Sequence, residues 1–75
     1  MRTLTVGQKV IAKNDRILEF ADHEPLVIWK QGQVLTVCGI VQHEPGYLEA
    51  LIDLGDRDWE GVPWPMLDEL FDLPH

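Results

Sequence analysis

The sequence predicts one small, mainly β domain, a closed or nearly closed structure of five short strands with a short helical turn near its C-terminal end. Residues 34–41 form the longest run of β-forming residues in the chain. Both faces of this run are apolar, which is typical of a central, covered strand. Residues 47–54 alternate between apolar even and more polar odd positions, which is typical of a strand with one wet face. Turns containing glycine or proline separate the runs.

Length and composition place the chain among small globular proteins. Its 75 residues make a single domain, 1–75, which buries only about 60% of the surface of the unfolded chain. The single cysteine, Cys38, excludes an internal disulfide and fits a reducing compartment. No signal peptide is visible, and no apolar run approaches the roughly 18–20 residues of a membrane span. We therefore expect a cytoplasmic protein that does not enter membranes.

The charge is divided unevenly along the chain. Residues 1–41 hold five basic and four acidic residues, a net charge of +1, whereas residues 42–75 hold one basic and nine acidic residues, a net charge of −8. Because nucleic-acid binding depends on neutralising phosphates with Lys and Arg, the second half disfavours a nucleic-acid partner. The acidic half is either a solvated face or a docking surface for a basic partner.

The first half of the chain predicts two strands and a long excursion between them. Residues 6–13 alternate as a first strand, with Val10 and Ala12 on one face. Residues 13–31 then fold over before the central strand. Within this excursion, residues 16–21 fit either a helical turn or a ragged strand, and residues 26–29 form a short apolar strand.

The second half predicts a hairpin and a final short strand. Pro45-Gly46 marks the hairpin connection after the central strand. Residues 47–54 return antiparallel, residues 55–58 turn, and residues 59–62 form a strand in which Trp59 fills the core.

The C-terminal segment predicts a short helix or a closing strand. Pro65 suits the first turn of a helix, and four apolar residues then share one face: Met66, Leu67, Leu70 and Phe71. Residues 71–73 alternatively close the sheet.

Three passages of this pattern resemble an SH3-like barrel. They are Gly7-Gln8-Lys9-Val10, Gly32-Gln33-Val34-Leu35-Thr36-Val37 and Trp59-Glu60-Gly61-Val62-Pro63. The resemblance covers most of the chain and implies a small five-stranded barrel. It also implies a non-enzymatic binding or assembly module whose ligands lie in grooves between loops, and it is nearest to divergent bacterial or phage members.

The chain departs from the proline-binding members of that family at two positions. Those members carry an aromatic cluster at the end of the first strand, where this chain has residues 12–15 (Ala-Lys-Asn-Asp). They also carry a tyrosine in the closing helical turn, where this chain has Met66 and Leu67. Binding of proline-rich peptides therefore does not carry over.

The chemistry-bearing residues do not form a recognisable metal or catalytic motif. Three histidines and one cysteine lack the spacing of metal ligands (His23, Cys38, His43, His75). We expect Cys38 to be a buried thiol that acts as a small hydrophobe. The chain has no serine, and its six glycines are isolated, so no phosphate-binding loop is visible. We expect neither a metal nor a cofactor, and no enzymatic activity.

Aromatic residues beside acidic ones form the predicted partner-binding surface. Trp29 in the excursion, Tyr47 at the hairpin and Trp64 between two prolines are candidates for contact with a partner, because Trp and Tyr are enriched at contact hot spots. Three acidic residues follow Trp64 closely: Asp68, Glu69 and Asp72. The resulting hypothesis is a module that binds a protein partner or associates with itself.

Two alternatives come from other functional classes. The acidic half suits a decoy that occupies the nucleic-acid site of a basic protein, and that hypothesis predicts one continuous acidic patch. The carboxylates of Asp56, Asp58 and Glu60 suit a small oligomeric enzyme with a shared pore, because clustered acids raise one another's pKa values. That hypothesis predicts a polar pocket on a symmetry axis.

Overall fold

A computed structural model describes residues 4–74, so Met1, Arg2, Thr3 and His75 lie outside the described residues. The described chain is mainly β, as predicted, with one short helix. Seven strands run in chain order: β1 Lys9–Ala12, β2 Arg16–Leu18, β3 Leu26–Trp29, β4 Val34–Glu44, β5 Tyr47–Gly55, β6 Asp58–Pro63 and β7 Phe71–Asp72. A 3₁₀ turn, Trp64–Met66, and helix α1, Leu67–Leu70, lie between β6 and β7.

Five of the strands form one antiparallel sheet in the order β6-β5-β4-β1-β7, and β2 and β3 form a separate two-stranded sheet. The outer strands of the larger sheet, β6 and β7, are not hydrogen-bonded to each other. Neither sheet therefore closes on itself within residues 4–74, and the barrel stays a prediction.

The predicted hairpin of β4 and β5 is confirmed. The strands pair antiparallel from Thr36 opposite Asp53 to Glu44 opposite Tyr47. Gly46 in the connection has φ +83°, a left-handed conformation that glycine adopts without steric cost. Ala50 and Ile52 point into the core and Asp53 is exposed, as the alternation predicts.

One face of β4 is exposed, so the prediction that this strand is covered on both faces is wrong. The register shifts between Val37 and Gly39, so one extra residue, Cys38, lies opposite β5. Beyond the bulge the two faces are reversed, so Ile40, opposite the buried Ala50, packs against the core. Cys38 alternates with the buried Val37 and is exposed, with Sγ donating to the carbonyl oxygen of Leu51 at 3.4 Å. Val34 on the same strand is 57% exposed.

Trp59 lies on the outer face of the larger sheet, so the prediction that it fills the core is wrong. Residues alternate without a break along β6, where Val62 is buried opposite Ala50, so Trp59 points to the other face. Trp59 lies opposite Asp53 and is 56% exposed. A bulge in β5, with Leu54 as the extra residue, lies between this pair and the turn.

The core lies on the inner face of the larger sheet. Strands β1, β4, β5 and β6 line it with small and branched apolar side chains: Val10, Ala12, Leu35, Val37, Ala50, Ile52 and Val62. Trp29 from β3 and Leu67 and Phe71 from the C-terminal segment also belong to this core. Both C-terminal predictions hold, because α1 forms and Phe71 then pairs with Ala12 as part of β7.

The excursion between β1 and β4 folds into a hairpin, here called the arm and defined as residues 16–29. Its strands β2 and β3 pair antiparallel, with Ile17 opposite Val27 and Leu18 opposite Leu26. Residues 16–18 are thus a strand, the second of the two structures that the sequence allows. Among the described residues, no helix is long and apolar enough to cross a membrane.

Candidate protein-binding surface

Trp29, one of the predicted contact residues, lies in the core. It is only 2% exposed, and its ring centroid lies 5.1 Å from that of Phe71. Such a pair of aromatic side chains buries a large apolar area. The prediction of Trp29 as a surface contact is therefore wrong; its side chain instead attaches the arm to the sheet.

The structure places the other two predicted aromatic residues in different environments. Trp64 begins the 3₁₀ turn after Pro63 and is half-buried, because it packs against the core. Tyr47 begins β5 and is 40% exposed, with its ring centroid 5.5 Å from that of His43. Tyr47 is thus the more accessible of the two.

The three predicted acidic residues are exposed, and two of them lie beside Lys13. Lys13 Nζ donates to the main-chain carbonyl oxygen of Asp68 and lies 3.7 Å from a carboxylate oxygen of Asp72. The main-chain N–H of Lys13 also donates to the main-chain carbonyl oxygen of Leu70 at 2.8 Å. Lys13 therefore holds the C-terminal segment against β1, and Glu69 is the exposed acid between these contacts.

The arm carries a concentration of exposed apolar side chains. Five large hydrophobic residues of the arm are between 36% and 53% exposed: Ile17, Leu18, Phe20, Leu26 and Val27. Cross-strand partners share a face, so Ile17 and Val27 lie on one face of the hairpin and Leu18 and Leu26 on the other. Both faces of the arm are thus apolar and accessible to water.

The root of the arm is fixed to the sheet by a two-point ion pair. Arg16 Nη2 and Nε donate to the two carboxylate oxygens of Glu60 on β6, at 2.8 and 3.2 Å. This hydrogen bond raises the pKa of Arg16 above its ordinary value. Planar two-point pairing of this kind constrains geometry as well as charge. Just before the arm, Asp15 Oδ1 accepts the N–H of Gln31 at 2.7 Å.

The end of the arm also has defined contacts. The rings of Phe20 and His23 stack with centroids 4.1 Å apart. His23 Nδ1 lies 2.9 Å from the carbonyl oxygen of Glu24, at hydrogen-bonding distance. The connection between β2 and β3 therefore presents a stacked aromatic pair.

Acidic side chains surround this end of the arm. Glu19, Asp22 and Glu24 are all exposed, and within residues 4–74 none of them pairs with a lysine or arginine. His23 Nε2 lies 4.0 Å from a carboxylate oxygen of Asp22. The apolar arm thus ends in negative charge.

The outer face of the larger sheet is a second accessible surface, of mixed character. Register places Lys9, Thr36, Asp53 and Trp59 in one row across four strands. Lys9 Nζ donates to Thr36 Oγ1 at 2.6 Å. Trp59 is therefore flanked by polar side chains, unlike the apolar residues of the arm.

The part of the chain that the structure describes contains no group of three or more His, Cys, Asp or Glu side chains arranged to hold a metal ion. No model of a protein family matches the chain, and comparisons with curated proteins and with solved structures find no similar protein.

The five exposed apolar residues of the arm were not among the predicted contacts. Their positions follow neither the two-residue period of a half-buried strand nor the 3.6-residue period of a helix. They could have been found from the pairing of β2 with β3. Apolar residues occupy adjacent positions on both strands, so neither face of the hairpin is polar. This inference requires the hairpin register, which the sequence pattern alone does not supply.

Proposed function

We propose that this chain is a small non-enzymatic module that binds a protein partner through the arm. The observation that carries the proposal is the exposure of five large apolar side chains on one hairpin, four of which the strand pairing places on its two faces. Exposed apolar side chains that cluster, rather than lie scattered, are typical of interaction surfaces. This surface differs from the predicted one, in which only Trp29 belongs to the arm, and Trp29 is buried.

The attachment of the arm supports the same function. An isolated two-stranded hairpin is at best marginally stable in water. Here Trp29 in the core and the Arg16–Glu60 pair hold the root in place. A rigid root keeps the apolar residues presented together, which lowers the entropy that a partner would otherwise lose in ordering them.

The resemblance to an SH3-like barrel agrees with a binding module, and it remains part of this proposal. The acidic decoy has less support, because two acids of the second half lie beside cationic side chains and a third lies beside a histidine. Glu60 pairs with Arg16, Asp72 lies beside Lys13, and a carboxylate oxygen of Glu49 lies 3.5 Å from His43 Nε2. These contacts divide the acidic residues between separate places on the fold.

The test is site-specific photo-crosslinking in cells that express the chain. A photoreactive amino acid replaces Val27 on the arm or, as the matched control, Val34 on the outer face, which is similarly exposed. We expect a discrete protein adduct from position 27 that is absent or much weaker at position 34.

Purified components then decide the outcome. The crosslinked protein, identified by mass spectrometry, should bind the wild-type chain but bind Leu26→Ser/Val27→Ser at least about tenfold more weakly. Unchanged unfolding of the variant shows that the fold is intact. Equal adducts from both positions, or equal binding by the variant, contradict the proposal.

A further inference from the structure

We propose that the arm binds its partner by accepting one extended segment as a third strand, and that this segment has apolar residues beside β2 or β3 and a basic end beside the acidic end of the arm. This inference rests on the proposed protein-binding function and specifies the chemistry of the partner.

The main chain of the arm provides the first argument. Strands β2 and β3 are hydrogen-bonded only to each other among the strands of the described chain. Each therefore has an outer edge of N–H and C=O groups without a strand partner. Such an edge is a template for an added strand, whose main chain supplies affinity.

The side chains provide the second argument. Ile17 and Val27 lie on one face of the arm, and Leu18 and Leu26 on the other. An added strand places alternate side chains on these same two faces. Apolar side chains of the added strand would pack beside the arm residues on both faces. These contacts would remove the exposed arm side chains from water.

The charges identify the end of the segment and disfavour a second copy as the occupant. Glu19, Asp22 and Glu24 lie at the end of the arm without a lysine or arginine partner in the described residues. A basic end of the segment would complement them. A second copy with the same net charge of −7 would instead bring like charges together.

Two matched synthetic peptides test the proposal by fluorescence anisotropy. Both contain Val-Thr-Ile-Thr-Val; one continues with three lysines and the other with three glutamates, and each is also made with the charged block first. We expect the lysine peptides to bind at least about tenfold more tightly than the glutamate peptides and to weaken as salt rises.

Two variants of the chain sharpen the test. Glu19→Lys/Asp22→Lys/Glu24→Lys should reverse the preference between the lysine and glutamate peptides. Leu26→Ser/Val27→Ser should weaken both. A lysine peptide with proline at alternate positions of its apolar block, which removes main-chain donors, should also bind weakly.

The outcomes separate this inference from the proposed function. Lysine and glutamate peptides that bind the arm equally would overturn the inference while leaving arm-mediated binding intact. No peptide binding, together with a protein adduct at position 27, would also overturn only the inference. Light scattering that shows association growing with salt and lost in Leu26→Ser/Val27→Ser would identify a second copy as the occupant, and would overturn it too. No adduct at position 27 would overturn the proposed function itself.

Discussion

The inner face of the larger sheet and the arm are both apolar, but only the first is covered. Val37 on β4 is fully buried, whereas Val27 on β3 is 47% exposed. The sheet is covered because Trp29, Leu67 and Phe71 pack into the same core. The arm contributes Trp29 and the partly buried Ile28 to that core, but no described element covers its five exposed apolar residues. An apolar strand is thus buried only where the topology provides a second layer.

The largest test of this contrast compares two tryptophans. Trp29→Ala should lower the free energy of unfolding by about 3–5 kcal/mol, since it removes a large buried side chain and leaves a cavity. Trp59→Ala should change it by less than about 0.5 kcal/mol, because that side chain is mostly exposed. Urea unfolding measures both, with Trp29→Phe as a milder variant if Trp29→Ala does not fold. Similar losses from both alanine variants would contradict the assignment of Trp29 to the core.

The second test uses two valines and a nearly isosteric change. Val37→Thr buries a hydroxyl group without a solvent partner and should cost about 1–3 kcal/mol. Val27→Thr places the hydroxyl in water and should be nearly neutral. The midpoint of urea unfolding at constant m-value reports both changes. A loss at Val27 as large as that at Val37 would show that the arm is covered in the free protein.

The third test concerns the joint between the two regions. A double-mutant cycle of Arg16→Ala and Glu60→Ala should give a coupling free energy of about 1 kcal/mol, the upper end for ion pairs that are partly exposed. Amide exchange in residues 17–18 and 26–28 should quicken in Arg16→Ala while exchange in β4 stays slow. Uniform acceleration in both regions would mean that the pair stabilises the whole fold rather than the arm.

The pH dependence of this pair follows from the direction of the Arg16 shift. The pKa of Arg16 is raised in the folded state by the hydrogen bond to Glu60. Its stabilising contribution is therefore complete below the pKa of arginine in the unfolded chain and is lost only as pH rises through the higher folded value. The coupling free energy should stay constant from about pH 6 to about pH 9. A decline within that window would show that Arg16 does not supply the charge.

Local patterns were sufficient to predict the parts of the fold that depend on neighbouring residues. Pro45-Gly46 and the alternation over residues 47–54 predicted the hairpin of β4 and β5, and Val10 and Ala12 were predicted on the same face of β1. Turn chemistry and strand period act over a few residues, so the sequence displays them directly.

The misplaced residues have a common physical cause, because each depends on which face of a strand is covered. Cys38 alternates with the buried Val37, and Trp59 lies on the opposite face of β6 from the buried Val62. Strand period shows which residues share a face, but a second layer decides which face is buried. The burial of Trp29 likewise follows from long-range packing against Phe71.

The smallest expected effect concerns the outer face of the larger sheet. There, unlike on the arm, the side chain of Glu49 packs over Gly61. A Cβ atom at Gly61 would lie 2.3 Å from Oε1 of Glu49. Gly61→Ala should therefore displace the Glu49 carboxylate from its position beside His43, at a cost of about 0.5 kcal/mol. In a Glu49→Ala background the same change should be neutral or slightly stabilising, since alanine loses less backbone entropy than glycine.

The control for this last test is Gly39→Ala, whose Cβ would lie 3.0 Å from Cδ1 of Leu51 instead. Because Leu51 and not Glu49 occupies that space, the effect of Gly39→Ala on the free energy of unfolding should be the same in both backgrounds. If Gly61→Ala were equally insensitive to Glu49→Ala, the carboxylate would not be packed over Gly61. The outer face would then resemble the arm, with side chains that contact water rather than one another.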